Sequence, residues 1–208
     1  MQAEVLAAAE AEKLGGWITY LIRDPRKPDH RGNSAGTPIY IGQTKQFAKR
    51  VLNRFMTSEK QAKARDSIER RVTDLLHQDI VVRYEVLERV ATRLTSLVSE
   101  TNWIKRCRNA GYDLCNNLQE QRFGGDLLGR HDIPLERLLP FSIEEAIQDK
   151  IDVLISCSGC DLEMVVDLAR SQTWLAAPSN IGEIKRKLAG QKCSVCGQGK
   201  WRSRLKVR

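Results

Sequence analysis

Four of the six cysteines stand in two pairs, Cys157-x2-Cys160 and Cys193-x2-Cys196, a spacing at which thiolates close on one metal ion. Four thiolates leave a tetrahedral ion no open position, so Zn2+ held by Cys157, Cys160, Cys193 and Cys196 is read as structural rather than catalytic. Gly159 lies inside the first pair and Gly197 follows the second, which suits the tight turns of metal knuckles. The 32 residues between the pairs exceed the spacing of a minimal zinc ribbon, and two short helices, at residues 161–171 and 181–188, are expected to fill the gap. The module has few large apolar residues, so its folding is expected to be coupled to its metal. Cys107 and Cys115 stand alone and are expected only to pack.

A second set of residues has the chemistry of a phosphate site. Gly42 at a strand end lets the backbone turn or a phosphate come close. Arg50 and Arg54 lie four apart beside the stripe Phe47, Val51 and Phe55, so both can face one cleft. A guanidinium there can hold a phosphate through two hydrogen bonds, and Arg54 is expected to contact DNA. Glu100 falls between Leu97 and Ile104 on the apolar side of a helix, where a charge without a partner is costly. A divalent cation or an arginine such as Arg50 would satisfy it. Strand tyrosines such as Tyr20 and Tyr40 ordinarily pack with the hydroxyl at the rim.

The order of these residues carries a resemblance. Thr19-Tyr20 in one strand is followed by Tyr40-Ile41-Gly42, by Arg50 eight residues later, by Glu100 on a helix and by an asparagine after Leu114. Residues 16–126 in this respect resemble the GIY-YIG nuclease family. The second half-motif is intact, while Ile18-Thr19-Tyr20 keeps only the tyrosine of the first. The resemblance implies a divalent-metal-dependent DNA endonuclease that hydrolyses phosphodiester bonds, with Tyr20, Tyr40, Arg50, Glu100 and Asn116 as its site. Glu100 would bind Mg2+ or Mn2+, Tyr20 or Tyr40 would activate water, and Arg50 would stabilise the added negative charge. Asn116 is preferred to its neighbour Asn117 because it follows Leu114-Cys115 as the family pattern has it, and its expected role is support of the site. Many members place a histidine or tyrosine four residues after the arginine. Arg54 stands there in this chain, which leaves the general base open. The rival readings are a catalytically inactive or weak DNA-binding protein on the same scaffold, and an adaptor whose metal module binds protein.

The elements that must position these residues follow from pattern. Residues 1–14 read as a helix, broken by Gly15-Gly16, and residues 17–23 as a strand. A turn-rich loop leads to a second short strand at residues 39–42. An amphipathic helix spans residues 45–56, and the capping box Ser58-x-x-Gln61 opens another whose core face is Ile68, Val72, Leu75 and Leu76. A third strand is expected at residues 80–87 and a helix at residues 92–109. The fold class is therefore α/β of the α+β kind: a three-stranded antiparallel sheet flanked by helices, plus a small helical zinc-binding module. The expected domains are an N-terminal helix (1–14), a nuclease domain (15–130), a linker with a helix (131–150) and the zinc module with its basic tail (151–208).

Charge points to the partner. The net charge is +8, yet residues 185–208 hold nine Lys or Arg and no acid, leaving 25 basic against 26 acidic residues elsewhere. Residues 45–71 carry a second basic excess. Such clustering is a footprint for a polyanion, and Lys185, Arg186, Lys187, Lys200, Arg202 and Arg204 are expected to hold double-stranded DNA. Trp201 among them is expected to stack on a base or pack on the module. The N-terminal stretch has neither the positive start nor the apolar core of a signal peptide, and there is no apolar run of membrane-spanning length. A cytoplasmic protein with no small-molecule cofactor is expected.

Overall fold

Trp17–Asp24 forms strand β1, and every residue from Ile18 onward in it is buried. That explains a run of Ile, Thr, Tyr, Leu and Ile in place of apolar–polar alternation: β1 is the middle strand of a sheet covered on both faces. Thr37–Thr44 (β2) and Arg83–Val90 (β3) flank it, both antiparallel, in the order β2-β1-β3. Tyr20 stands opposite Gly42, and Leu21 opposite Ile41. On one face Ile18, Tyr20 and Ile22 pack on Phe47, Val51 and Phe55 of α2 (Phe47–Phe55) and on Ile68, Val72 and Leu75 of α3 (Ser67–Leu76). On the other, Leu21 and Ile41 pack on Ile104 and Cys107 of α4 (Arg93–Asn109) and on Leu114. Thr92 caps α4, its hydroxyl accepting the Thr95 N–H at 3.2 Å within a reciprocal capping box.

The computed structural model describes residues 1–26, 28–30, 32, 35–57, 67–116, 140–160, 162–170, 179–197 and 201–207, with side chains through 202 in the last stretch. The chain divides into two compact units, Met1–Gly124 and Gly125–Arg208. The capping box Ser58–Gln61, Asn117 and Lys200 fall outside the described residues.

Two expectations for the first unit are corrected. Strand β3 lies three residues further along than residues 80–87, because its register is set by β1: Trp17 pairs with Val90 and Arg23 with Arg83. Helix α1 (Gln2–Lys13) is not a separate element but part of this unit. Ala8 lies in the core, Glu12 accepts the Ala48 N–H at the start of α2 (2.9 Å), and Glu4 accepts the Tyr84 N–H of β3 (3.0 Å). Arg89 in turn donates to the Ala11 and Gly15 carbonyls at the end of α1, both at 2.6 Å.

The second unit is built on a sheet, which corrects the expectation of a helical module. Ile151–Cys157 (β4) is its centre, paired antiparallel with Glu163–Val166 (β5) and Trp201–Val207 (β6) in the order β5-β4-β6. Of the segment 161–171, expected to be helical, residues 168–170 are helical but residues 163–166 form β5, since Met164-Val165-Val166 gains a ladder with β4 that local helix propensity does not offset. The basic tail is strand β6, fixed by seven residues of register from Ile151–Val207 to Cys157–Trp201. Helix α5 (Ile143–Gln148), expected in a linker, sits in this unit's core with Ile143 and Ala146 buried. Helix α6 (Ile181–Ala189) falls where the pattern places it; Asn180 caps it and Ile181, Ile184 and Leu188 face inward. No helix among the described residues is long and apolar enough to cross a membrane.

Candidate active site and metal centre

The sheet of the first unit brings Tyr20 and Tyr40 together, their ring centres 6.5 Å apart. Tyr20 is 1 % exposed and packs on Phe47 at 5.0 Å, whereas Tyr40 is half-buried at the surface of β2. Gly42 makes this packing possible: a Cβ there would meet the Tyr20 hydroxyl at 2.6 Å and the Tyr40 ring at 2.8 Å. Position 42 thus needs glycine for close approach, not for an unusual backbone angle.

Helix α2 divides its two arginines. Arg50 is exposed. Arg54, expected on the DNA-facing surface, is 4 % exposed and turned inward. Its guanidinium lies 4.6 Å from the centre of the Tyr40 ring and donates to Glu69 Oε1 at 3.0 Å. Burial pushes the Tyr20 hydroxyl pKa up, while the positive charges of Arg54 and Arg50 pull it partly back and the negative charge of Glu100 adds to the rise. Arg50 and Arg54 of α2 and Glu100 of α4 thus each act electrostatically on Tyr20 of β1. Tyr20 is a neutral, sealed hydroxyl at ordinary pH, whereas Tyr40 keeps part of its surface exposed.

Tyr84 packs edge-on against Phe47 and Phe55 in the same cluster, and its buried hydroxyl has no hydrogen-bond partner among the described residues. Burial raises its pKa as well. A tyrosine whose folded pKa lies above the unfolded value of about 10 contributes stability that is whole below pH 10 and lost as the pH rises through the folded value. Tyr84→Phe is expected to leave stability at pH 7 unchanged or higher, because no hydrogen bond is removed. It is also expected to flatten the fall in stability above pH 10. Urea unfolding at a series of pH values, following the first unit, checks both; an unchanged alkaline slope would refute the second.

Glu100 is 4 % exposed on the inner side of α4, near Leu97 and Ile104, which are 5 % and 0 % exposed. Asn116 is equally buried, and its amide makes two bonds to one residue of β2: Oδ1 accepts the Ile41 N–H at 2.9 Å and Nδ2 donates to the Ile41 carbonyl at 2.7 Å. It mimics a strand neighbour along the open edge of β2, between Tyr40 and Gly42, and so holds the tyrosine strand in place. Arg108 of α4 secures the Asn116 carbonyl at 2.6 Å. Tyr112 tethers the same segment to the β1–β2 loop by donating to Asp29 at 3.1 Å.

In the second unit the four paired cysteines converge, all four sulfurs lying within 4.8 Å of one another. Cys157 and Cys196 are 3.5 Å apart and Cys160 and Cys193 3.8 Å. A tetrahedral ion bound through sulfur at about 2.3 Å would set its ligands about 3.8 Å apart. The geometry fits one metal ion. One knuckle closes the β4–β5 turn, with the Gly159 N–H on Cys157 Sγ at 3.3 Å. The other joins α6 to β6, with the Gly197 N–H on the Cys193 carbonyl at 2.9 Å. Backbone N–H groups of Cys196 and Val195 lower the Cys193 pKa and favour the thiolate.

Compared with family models, with curated proteins and with solved structures, the chain matches none.

The expected DNA contacts are placed as follows. Lys185 and Arg186 are exposed on α6, Lys187 is half-buried, and Arg202 is exposed on β6. Arg204 occupies the register position opposite Leu154, and Lys206 that opposite Asp152, so with Arg202 they fall on alternate positions of one strand. Trp201 packs on its own unit, its indole N–H donating to the Gln191 carbonyl at 2.9 Å. Glu69 is the residue that sequence reasoning missed. Its signal was faint: an acid one turn before Thr73 on the amphipathic α3, with nothing in the sequence to say that it meets Arg54.

Proposed function

We propose that the protein is a divalent-metal-dependent endonuclease of double-stranded DNA, with the second unit as a DNA anchor stabilised by zinc. What supports the reading is the packing of Tyr20 and Tyr40 over Gly42, with Arg50 of α2 and Glu100 of α4 both acting electrostatically on the Tyr20 hydroxyl. Glu100 would hold Mg2+ or Mn2+, which supplies Lewis-acid stabilisation of phosphate oxygens. A buried carboxylate suits such an ion, which favours carboxylate oxygens. Tyr40, the partly exposed tyrosine, would orient the attacking water toward phosphorus. Arg50 meets the phosphate and stabilises the charge that builds on its oxygens. Asn116 fixes the strand between Tyr40 and Gly42. The four thiolates fit structural Zn2+, which leaves binding to the basic α6 and β6.

Incubation of the protein with supercoiled plasmid, with and without Mg2+, tests the reaction. Nicking that requires the metal is expected, and Arg50→Ala is expected to slow it on the order of 100-fold. A chain that binds duplex DNA but never cuts it, with Mg2+ or Mn2+, belongs to the rival reading of a DNA-binding protein on this scaffold. The first half-motif, reduced to its tyrosine, is what favours that rival.

A further inference from the structure

Arg54 and Glu69 form a buried ion pair that the chemistry above does not use. The side chains are 4% and 12% exposed and 3.0 Å apart. Packing alone would be served as well by two apolar residues, since desolvating an ion pair costs much of what the pair returns. What sets this pair apart is where the guanidinium lies. It covers the Tyr40 ring at 4.6 Å, and the Tyr20 ring, 6.5 Å from that of Tyr40, feels its charge, so one planar group ties the tyrosine pair to its counter-ion. A guanidinium has the fork of donors for the ion pair and the flat face for the ring; an ammonium has neither.

We propose that Glu69 is a positioning residue, acting through Arg54, which clamps Tyr20 and Tyr40 in the orientation that the site requires. Neither residue meets DNA. Glu69 holds Arg54 from α3, and Arg54 fixes the ring of Tyr40 against the sealed hydroxyl of Tyr20. The consequence for cleavage rests on the endonuclease reading; the clamp itself does not.

The full chain carrying isotope-labelled tyrosine is compared with Glu69→Gln and Arg54→Lys by NMR of the rings, with the four tyrosines assigned from Tyr→Phe variants. Single-turnover cleavage of duplex DNA with Mg2+, duplex Kd and thermal midpoint are measured on the same samples. Glu69→Gln is expected to move the Tyr20 and Tyr40 ring signals, to leave Tyr112 in place, and to slow cleavage on the order of ten-fold at unchanged Kd. Arg54→Lys is expected to move the same two signals and not to restore the rate. Unmoved Tyr20 and Tyr40 signals, even with a lower thermal midpoint, would mean the pair is merely structural and would overturn the clamp. So would cleavage by Glu69→Gln at the wild-type rate. If the wild-type chain cuts no DNA, the endonuclease reading fails, and ring signals that still move support the clamp alone. Should Arg54→Lys not fold, Glu69→Gln, which keeps the shape of the side chain, decides the matter by itself.

Discussion

Glu100→Gln is expected to abolish DNA cleavage while duplex affinity stays within a few-fold of wild type. The amide has the size and shape of the carboxylate, so the packing of α4 against β1 and β2 around Leu97 and Ile104 is preserved. The change removes the negative charge, and a neutral amide is a poor ligand for Mg2+ or Mn2+, which favour carboxylate oxygens. Binding is left nearly intact because the positive charge credited with it lies on α6 and β6, in the other unit. The measurement is plasmid nicking over a range of Mg2+ concentrations, paired with calorimetric titration of Mn2+ into the protein without DNA. A structural role alone predicts something different: a lower thermal midpoint, with each folded molecule still cutting at the wild-type rate. That result would remove the metal from Glu100.

The same side chain shows why parts of this site were legible in the sequence. Leu97, Glu100 and Ile104 follow the helical period, so an acid on the inner face of α4 could be read without coordinates, and it is buried. The strand–strand order and the tyrosine, glycine and arginine spacings are likewise local. Arg54 was misplaced although its signal was present. It falls seven residues after Phe47, on the core stripe itself, whereas Arg50 falls off it. Turning both arginines toward one cleft as phosphate and DNA contacts neglects that an arginine inside a stripe implies a buried acid, here Glu69.

The second unit was misread for another reason. Its sheet joins residues 151–157 to residues 201–207, about a quarter of the chain apart, and no local pattern encodes that pairing. One clue was available: Arg202, Arg204 and Lys206 alternate with Trp201, Ser203, Leu205 and Val207, a period of two that fits an edge strand better than a solvated tail. The cysteine spacing was enough to bring the two knuckles together, since Cys-x2-Cys is a local turn. What each knuckle terminates was not encoded there.

Cys193→Ser is expected to remove bound zinc, unfold the second unit and weaken duplex binding, with the first unit left folded. Cys193 is buried and shares the cluster with Cys157, at the end of β4. The ion proposed there would tie the β4–β5 turn to the α6–β6 connection, and so hold the edge strand β6 against β4. A serine leaves three thiolates and an alcohol that binds zinc weakly at neutral pH, so the coupling between metal and fold is broken. The basic strand β6 would then lose its place beside β4. Every phosphate that the protein ceases to neutralise reduces the slope of log K against log salt by about 0.9, so four fewer flatten the plot visibly. Stripping metal from the wild-type chain with a chelator should give the same affinity and the same slope as Cys193→Ser. Zinc content, limited proteolysis and salt-dependent binding to duplex DNA are measured together, with circular dichroism to follow the helices of the first unit. A wild-type chain that contains no metal after purification in zinc-supplemented buffer would dispose of the zinc assignment. Binding by Cys193→Ser as tight as wild type, with an equal salt slope, would instead show that the second unit is not the DNA anchor. Its metal-ordered sheet would then be the binding face of a protein adaptor.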